Sequence, residues 1–126
     1  MKNKELIEAA QKNLRERMVG FDYKDYTRKE LSYYTRGYGE LQDAVVDSGA
    51  RTMETLVKIL TGDPDFEPDN FYHALLMNDF STVLGTADDF SQLALRPIHI
   101  FIANNIIPIY LLNSYRKMFE KKEKED

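Results

Sequence analysis

Carboxylates alternate with other residues between positions 63 and 69, as the ligands of a calcium-binding loop do. They are Asp63, Asp65, Glu67 and Asp69. An EF-hand loop also needs a glycine at its sixth position and a bidentate glutamate at its twelfth, but Pro68 and Ala74 occupy those places. The sequence therefore predicts an acidic connector stiffened by prolines, and it predicts neither a metal site nor a cofactor.

A second set of carboxylates follows one side of the predicted central helix. It consists of Glu40, Asp43, Asp47 and Glu54. The stretch 39–44, Gly-Glu-Leu-Gln-Asp-Ala, resembles the first carboxylate motif of the all-α nucleotide pyrophosphohydrolases, and the resemblance implies Glu40 and Asp43 as magnesium ligands. A second pair at helical spacing is missing, since the adjacent Asp88 and Asp89 would point about 100° apart on a helix. We prefer a solvated charged stripe and keep a magnesium-dependent nucleotide hydrolase as an alternative.

His73 lies within the apolar arc of a predicted helix, so we expect it to face the core or an interface. A buried imidazole can act as a base or a metal ligand, but the sequence offers only His99 as a companion. We therefore favour a hydrogen-bonded core histidine and predict no catalytic residue. The alternative is a helical sensor that holds a small apolar or nucleotide ligand. Its candidate pocket residues are Tyr38, His73, Met77 and His99.

Tyrosine and basic residues are interleaved between positions 23 and 38. The candidates for binding a protein partner are Tyr23, Tyr26, Arg28, Tyr33 and Arg36. Tyrosine and arginine are favoured at the centres of protein interfaces, and aromatic rings beside cations can also stack a nucleobase. Gly37 and Gly39 each cost about 1 kcal/mol on a helix relative to alanine, which indicates close approach by another helix, a partner or a ligand. Structural packing, a protein partner and a small ligand all remain open for this cluster.

The most apolar stretch of the chain runs from Pro97 to Leu112. It is shorter than the roughly 20 apolar residues that a spanning helix needs, so we predict no membrane span. No signal peptide is visible before the first amphipathic pattern, which predicts a cytoplasmic protein. Pro108 cannot donate a hydrogen bond to the carbonyl of Asn104, so a continuous helix would kink there.

Two adjacent asparagines interrupt this apolar stretch, and each is predicted to point into apolar surroundings on a different side of the helix. A buried asparagine can fix the register of a helix pair. We therefore predict a homodimer whose candidate interface residues are Asn104, Asn105, Ile109 and Leu112. The alternative is a kinked core helix within one subunit.

Helices carry all of these residues, because apolar positions recur at helical spacing along most of the chain. A first helix is predicted from an Asn3 cap to Met18, and a second from a Thr27–Glu30 capping box. The apolar stripe of the second helix is Leu31, Tyr34, Tyr38, Leu41 and Val45. Ser48 and Gly49 mark a break or kink in this helix.

Further helices are predicted after the acidic connector. One runs from an Asp69 cap to about Leu84, a short one opens at Thr86, and the apolar C-terminal helix follows. The sequence thus predicts an all-α, single-domain bundle of about five helices over residues 1–119, with a kinked, largely buried C-terminal helix and a charged tail at 120–126.

The composition limits the possible functions. At 126 residues the chain has the length of one domain, and the absence of cysteine excludes disulfides and thiolate metal sites. The net charge of -4 makes a nucleic-acid partner unexpected. We therefore expect a small non-enzymatic interaction or regulatory module that binds a protein partner. Small acidic chains of this kind are common in phages and mobile elements, which suggests such an origin.

Overall fold

The computed structural model describes residues 2–31, 39–62 and 70–106, which form seven α-helices and no β-strand. The helices are α1 (Lys2–Met18), α2 (Tyr23–Glu30), α3 (Glu40–Leu60), α4 (Asn70–Met77), α5 (Phe80–Thr86), α6 (Asp89–Leu93) and α7 (Leu95–Asn105). The predicted all-α class is confirmed. The predicted count of about five helices is too low, because one aspartate starts a new helix within a stretch that was predicted to be a single helix. A second aspartate starts the predicted short helix two residues later than expected.

The first of these aspartates divides the predicted helix 70–84 into α4 and α5. Asn78 adopts a φ of 59°, a left-handed conformation that asparagine tolerates. Asp79 then caps α5 by accepting a hydrogen bond from the backbone N–H of Thr82 at 3.2 Å. Asp88 caps α6 in the same way through Ser91, at 2.7 Å. Thr86 therefore ends α5. The sequence pattern had predicted that Thr86 opens the next helix, and this is wrong.

The start of α2 also differs from the sequence prediction. Asp22 is the N-cap and accepts a hydrogen bond from the N–H of Asp25. Thr27, the predicted cap, lies inside α2, where its hydroxyl donates to the carbonyl of Tyr23 at 2.7 Å. The helix ends at Glu30. Two of the five residues of the predicted stripe, Tyr34 and Tyr38, lie outside the described residues.

Helix α3 is the centre of the fold and packs against α1, α2, α6 and α7. Its buried side includes Val45, Val46, Met53, Leu56 and Leu60. It is continuous through Gly49, so the predicted break there is wrong. Leu41, predicted as part of the apolar stripe, is 40% exposed in the first turn of α3.

Helix α7 buries one side only. Pro97, Ile98 and Phe101 are buried, whereas Ala103 and Asn104 are exposed. Pro97 stands in the first turn, where its missing N–H removes no helical hydrogen bond. The described helix ends at Asn105, before the predicted kink at Pro108, which lies outside the described residues. None of the described helices combines the length and apolar character that crossing a membrane requires.

Candidate interaction surface

Two of the predicted partner-binding tyrosines belong to an aromatic cluster that joins α2 to α7. The ring of Phe101 lies 6.0 Å from Tyr23 and 5.7 Å from Tyr26, measured between centroids. Phe21 completes the cluster at 5.8 Å from Phe101. Edge-to-face and tilted contacts of this kind stabilise aromatic pairs. Part of the apolar surface of both tyrosines is therefore buried by packing within the chain.

The environment of Tyr23 changes its acidity. Burial raises the pKa of the Tyr23 hydroxyl above its usual value, and the carboxylate of Glu54 raises it further. The phenol therefore stays neutral at physiological pH. Arg28, another predicted partner-binding residue, is exposed on α2. Tyr33, Arg36 and Tyr38 lie outside the described residues.

Both asparagines predicted at a dimer interface have hydrogen-bond partners within the chain. The side-chain amide of Asn104 donates to the hydroxyl of Tyr26 at 3.3 Å. That of Asn105 donates to the carbonyl of Phe101 at 3.3 Å, and the Asn105 carbonyl accepts from the Arg17 guanidinium at 2.7 Å. The homodimer stays a prediction. It is no longer supported by the asparagines, because both side chains form hydrogen bonds within the chain. Ile109 and Leu112 lie outside the described residues.

An open groove of about 700 Å³ lies beside the start of α2 and the middle of α3. Its charged lining residues are Asp22, Lys24, Asp47, Arg51 and Glu54. Lys24 pairs with Asp47 at 3.2 Å, but both side chains are more than half exposed, so the pair adds little stability. The mixture of both signs gives the groove no clear preference for an anion or a cation.

A smaller cavity of about 150 Å³ lies between α3, α4 and α6 and is lined mainly by polar residues. Ser48 and Ser91 share a hydrogen bond of 2.8 Å there, and the Thr52 hydroxyl donates to the Ser48 carbonyl. The bond between Ser48 and Ser91 therefore joins α6 to α3, and the Thr52 bond lies within α3. The arrangement explains why the polar side chains of Thr52 and Ser91 are buried.

The candidate pocket residues of a sensor are separate from both of these spaces. His73 and Met77 are half-buried on α4, and His99 is half-buried on α7. None of them is among the described lining of the groove or of the small cavity. The hypothesis of a helical sensor is therefore supported only by the sequence pattern.

The two residues implied as magnesium ligands, Glu40 and Asp43, are exposed in the first turn of α3. Within residues 2–31, 39–62 and 70–106, no group of three or more His, Cys, Asp or Glu side chains is placed to hold a metal ion. The hydrolase alternative therefore still depends on the single motif at 39–44.

Exposed apolar side chains concentrate on α5 and α6. Of the seven large ones in the described part of the chain, four lie on these two short helices. They are Phe80, Leu84, Phe90 and Leu93, with exposures of 61%, 42%, 41% and 36%. We call these four side chains the α5–α6 face. Soluble proteins rarely expose apolar residues in such concentration unless a partner or ligand covers them.

The packing of α5 and α6 explains this exposure. Helix α5 packs mainly on α4 and buries Val83, while α6 packs on α3 and buries Ser91. Residues one turn apart share a side of a helix, so Phe80 and Leu84 lie together on α5. Phe90 and Leu93 lie together on α6 for the same reason.

A hydrogen-bonded link holds the two helices together. Only Ala87 and Asp88 separate them, and the side-chain amide of Gln92 donates to the carbonyls of Leu84 at 3.2 Å and Ala87 at 3.3 Å. The end of α5 is thereby joined to α6. The α5–α6 face is therefore carried by two helices whose ends are fixed to each other.

Comparison with known proteins gives no further guide, because no family model, no curated protein and no solved structure matches the chain.

Sequence reasoning did not identify the α5–α6 face. Phe80 and Leu84 fall in the same helical arc as the buried Val83, which predicted a position at the core or at an interface on a single long helix. One available signal was the pair of capping sequences at Asp79 and Asp88. Asp79 starts a helix of seven residues and Asp88 starts one of five. Helices this short cannot bury every apolar side chain that they carry.

Proposed function

We propose that the protein acts by binding a protein partner and that the α5–α6 face is its contact surface. The observation that supports this proposal is the exposure of Phe80, Leu84, Phe90 and Leu93 on neighbouring short helices. Burying such side chains on association is favourable by about 25 cal/mol per Å² of apolar surface removed from water. Aromatic side chains are also frequent among the residues that contribute most to binding.

This surface differs from the one that the sequence suggested, which consists of Tyr23, Tyr26, Arg28, Tyr33 and Arg36 and which we call the Tyr/Arg surface. Tyr23 and Tyr26 contact Phe101 inside the molecule, so they have less apolar surface left for a partner. Phe80 and Phe90 remain exposed. The Tyr/Arg surface continues as a prediction for Arg28, Tyr33 and Arg36.

The test is capture of binding proteins from a cell extract by the tagged full chain, with the captured protein measured quantitatively. The double variant Phe80→Ser/Phe90→Ser should lower capture by about tenfold or more, since central aromatic residues dominate interface energies. Its folding should be unaffected, because exposed substitutions change stability by about 0.5 kcal/mol or less. Circular dichroism and urea unfolding verify this.

The matched control is Val19→Ser, which removes a side chain that is 81% exposed on another part of the surface. It should leave capture unchanged. A second double variant, Arg28→Ala/Arg36→Ala, tests the Tyr/Arg surface. Loss of capture in this variant and full capture by Phe80→Ser/Phe90→Ser would overturn the proposal.

A further inference from the structure

The chain segment that carries the α5–α6 face is acidic, although Arg51 of α3 lines the small cavity together with Asp88. Residues 70–95 contain three aspartates and no lysine or arginine, in a chain that has 17 basic residues. The aspartates are Asp79, Asp88 and Asp89, and all three are exposed. Asp79 and Asp89 directly precede Phe80 and Phe90, and Asp88 lies two residues before Phe90, so negative charge borders the apolar side chains.

Hydrogen bonds keep at least one of these carboxylates ionised. The hydroxyl and the backbone N–H of Thr82 donate to Asp79 and lower the pKa of its carboxyl group below the usual value. Asp88 accepts a similar bond from the N–H of Ser91. Their caps fix both side chains in place, so the negative border is a defined part of the surface.

This charge argues against a second copy of the same face as the occupant. A two-fold dimer places the same surface patch opposite itself. Asp79, Asp88 and Asp89 of one chain would then face those of the other chain, and like charges across an interface oppose association. A basic partner would instead gain from the same carboxylates.

The dimensions of the face indicate the kind of partner. Helices of seven and five residues extend about 10 and 8 Å at 1.5 Å per residue. Apolar side chains spaced by one turn, such as Phe80 with Leu84, suit a partner helix whose own apolar residues recur at i, i+3, i+4 and i+7. So small a contact area is typical of weak or transient association.

We propose, building on the proposed role of the α5–α6 face in partner binding, that its partner is an amphipathic helix flanked by lysine or arginine. The partner's apolar side covers Phe80, Leu84, Phe90 and Leu93. Its flanking cations lie against Asp79, Asp88 and Asp89. The apolar contact supplies most of the affinity, and the charges select basic partners over acidic ones.

The test uses two fluorescent peptides of about four helical turns with the same leucine anchors at i, i+3 and i+7. One is flanked by lysine and the other by glutamate, and anisotropy measures their binding to the full chain. The lysine peptide should bind about tenfold tighter or more at low salt. The ratio should fall toward one as salt is raised, because exposed charges are screened.

The variant Asp88→Asn/Asp89→Asn should weaken this preference, because it removes two of the three carboxylates and leaves Asp79. Asparagine caps a helix about as well as aspartate, so α6 is retained while its charge is lost. The matched control is Glu5→Gln/Glu8→Gln, which neutralises two exposed carboxylates on α1 and should leave the preference unchanged.

The outcomes separate this inference from the proposed function. The two peptides could bind with equal affinity, and Phe80→Ser/Phe90→Ser could abolish the binding of both. This result would overturn the charge selection and would support partner binding at the α5–α6 face. Failure of both peptides to bind would overturn the inference, and the capture experiment would still decide the proposed function. A dimer that Phe80→Ser/Phe90→Ser dissociates would identify a second copy as the occupant and also overturn it.

Discussion

Gly49 lies so close to Thr27 that a β-carbon at position 49 would be 2.8 Å from the Thr27 Cγ2 atom. The Ala94 β-carbon would be 3.2 Å away on another side. Thr27 belongs to α2, and Ala94 connects α6 to α7. The missing side chain of Gly49 therefore allows α2 and the α6–α7 junction to approach α3 at one point.

The first prediction concerns this junction. Gly49→Ala should lower the free energy of unfolding by up to about 2 kcal/mol, since the overlap with Thr27 and Ala94 costs about 1–3 kcal/mol. The gain in helix propensity of about 1 kcal/mol does not fully offset it. Urea unfolding measures the difference.

Two controls accompany this experiment. Gly85→Ala places a β-carbon where no atom lies within 4 Å and should raise stability by about 0.4–1 kcal/mol. Thr27→Ser removes the Cγ2 atom and keeps the hydroxyl, so Gly49→Ala should cost less in the Thr27→Ser background. Equal costs in both backgrounds would show that the contact with Thr27 is not the cause.

The second prediction concerns the aromatic cluster. Tyr26→Ala should lower the free energy of unfolding by about 2–3 kcal/mol, because it removes a half-buried ring that contacts Phe101. Tyr26→Phe keeps the ring and loses only the exposed hydrogen bond from Asn104, so it should cost about 0.5–1 kcal/mol. Urea unfolding and near-ultraviolet circular dichroism distinguish the two. Unchanged stability in Tyr26→Ala would contradict a structural role for this tyrosine.

The third prediction is a pH dependence at the start of α5. The folded-state pKa of Asp79 is lowered by its bonds to Thr82, so its stabilising effect is fully present above the unfolded-state value of about 3.9. The effect is lost as pH falls through the lower folded-state pKa. In Asp79→Asn the cap is retained, and the part of the acid destabilisation that comes from this residue should disappear. Carboxyl chemical shifts and unfolding curves between neutral and acid pH test both statements, and an Asp79 carboxyl that titrates at or above the ordinary value would refute them.

The fourth prediction concerns the link between α3 and α6. Ser91→Ala should lower the free energy of unfolding by about 1 kcal/mol, because it leaves the hydroxyl of Ser48 without this partner. Adding Ser48→Ala should cost less than the sum of the two single changes, since they share one hydrogen bond. Additive costs would mean that the two hydroxyl groups stabilise the fold independently.

Much of the fold follows from local sequence patterns. The stripe of Ile7, Ala10, Leu14 and Met18 predicted α1, because a helix of that length repeats its apolar positions clearly. The last three of these residues are buried, and Ile7 is half-buried. The all-α class followed from the same periodicity. The short helices α5 and α6 were harder to predict, since a five- or seven-residue helix has too few turns to show which side is buried.

The candidate site depended on contacts that spacing does not contain. The interleaved Tyr23 and Tyr26 have the composition of a binding surface, but whether they contact a partner or Phe101 depends on where α7 lies. Asn104 and Asn105 were expected in apolar surroundings, because their neighbours in sequence are apolar. In the folded chain Asn104 is exposed and reaches Tyr26, a residue far away in sequence.

The sequence by itself determined the helical class and the acidic character of residues 70–95, because periodicity and charge are properties of the chain alone. Only the tertiary structure decided what Gly49 and Phe80 do. Gly49 looked like a break in the central helix, yet it lies in a continuous α3 where the side chains of Thr27 and Ala94 come close. Phe80 belongs to a helical arc predicted to face the core or an interface, and it is exposed while α5 packs on α4 and buries Val83. Both outcomes depend on which helix faces meet, and that is settled by long-range packing rather than by local preference.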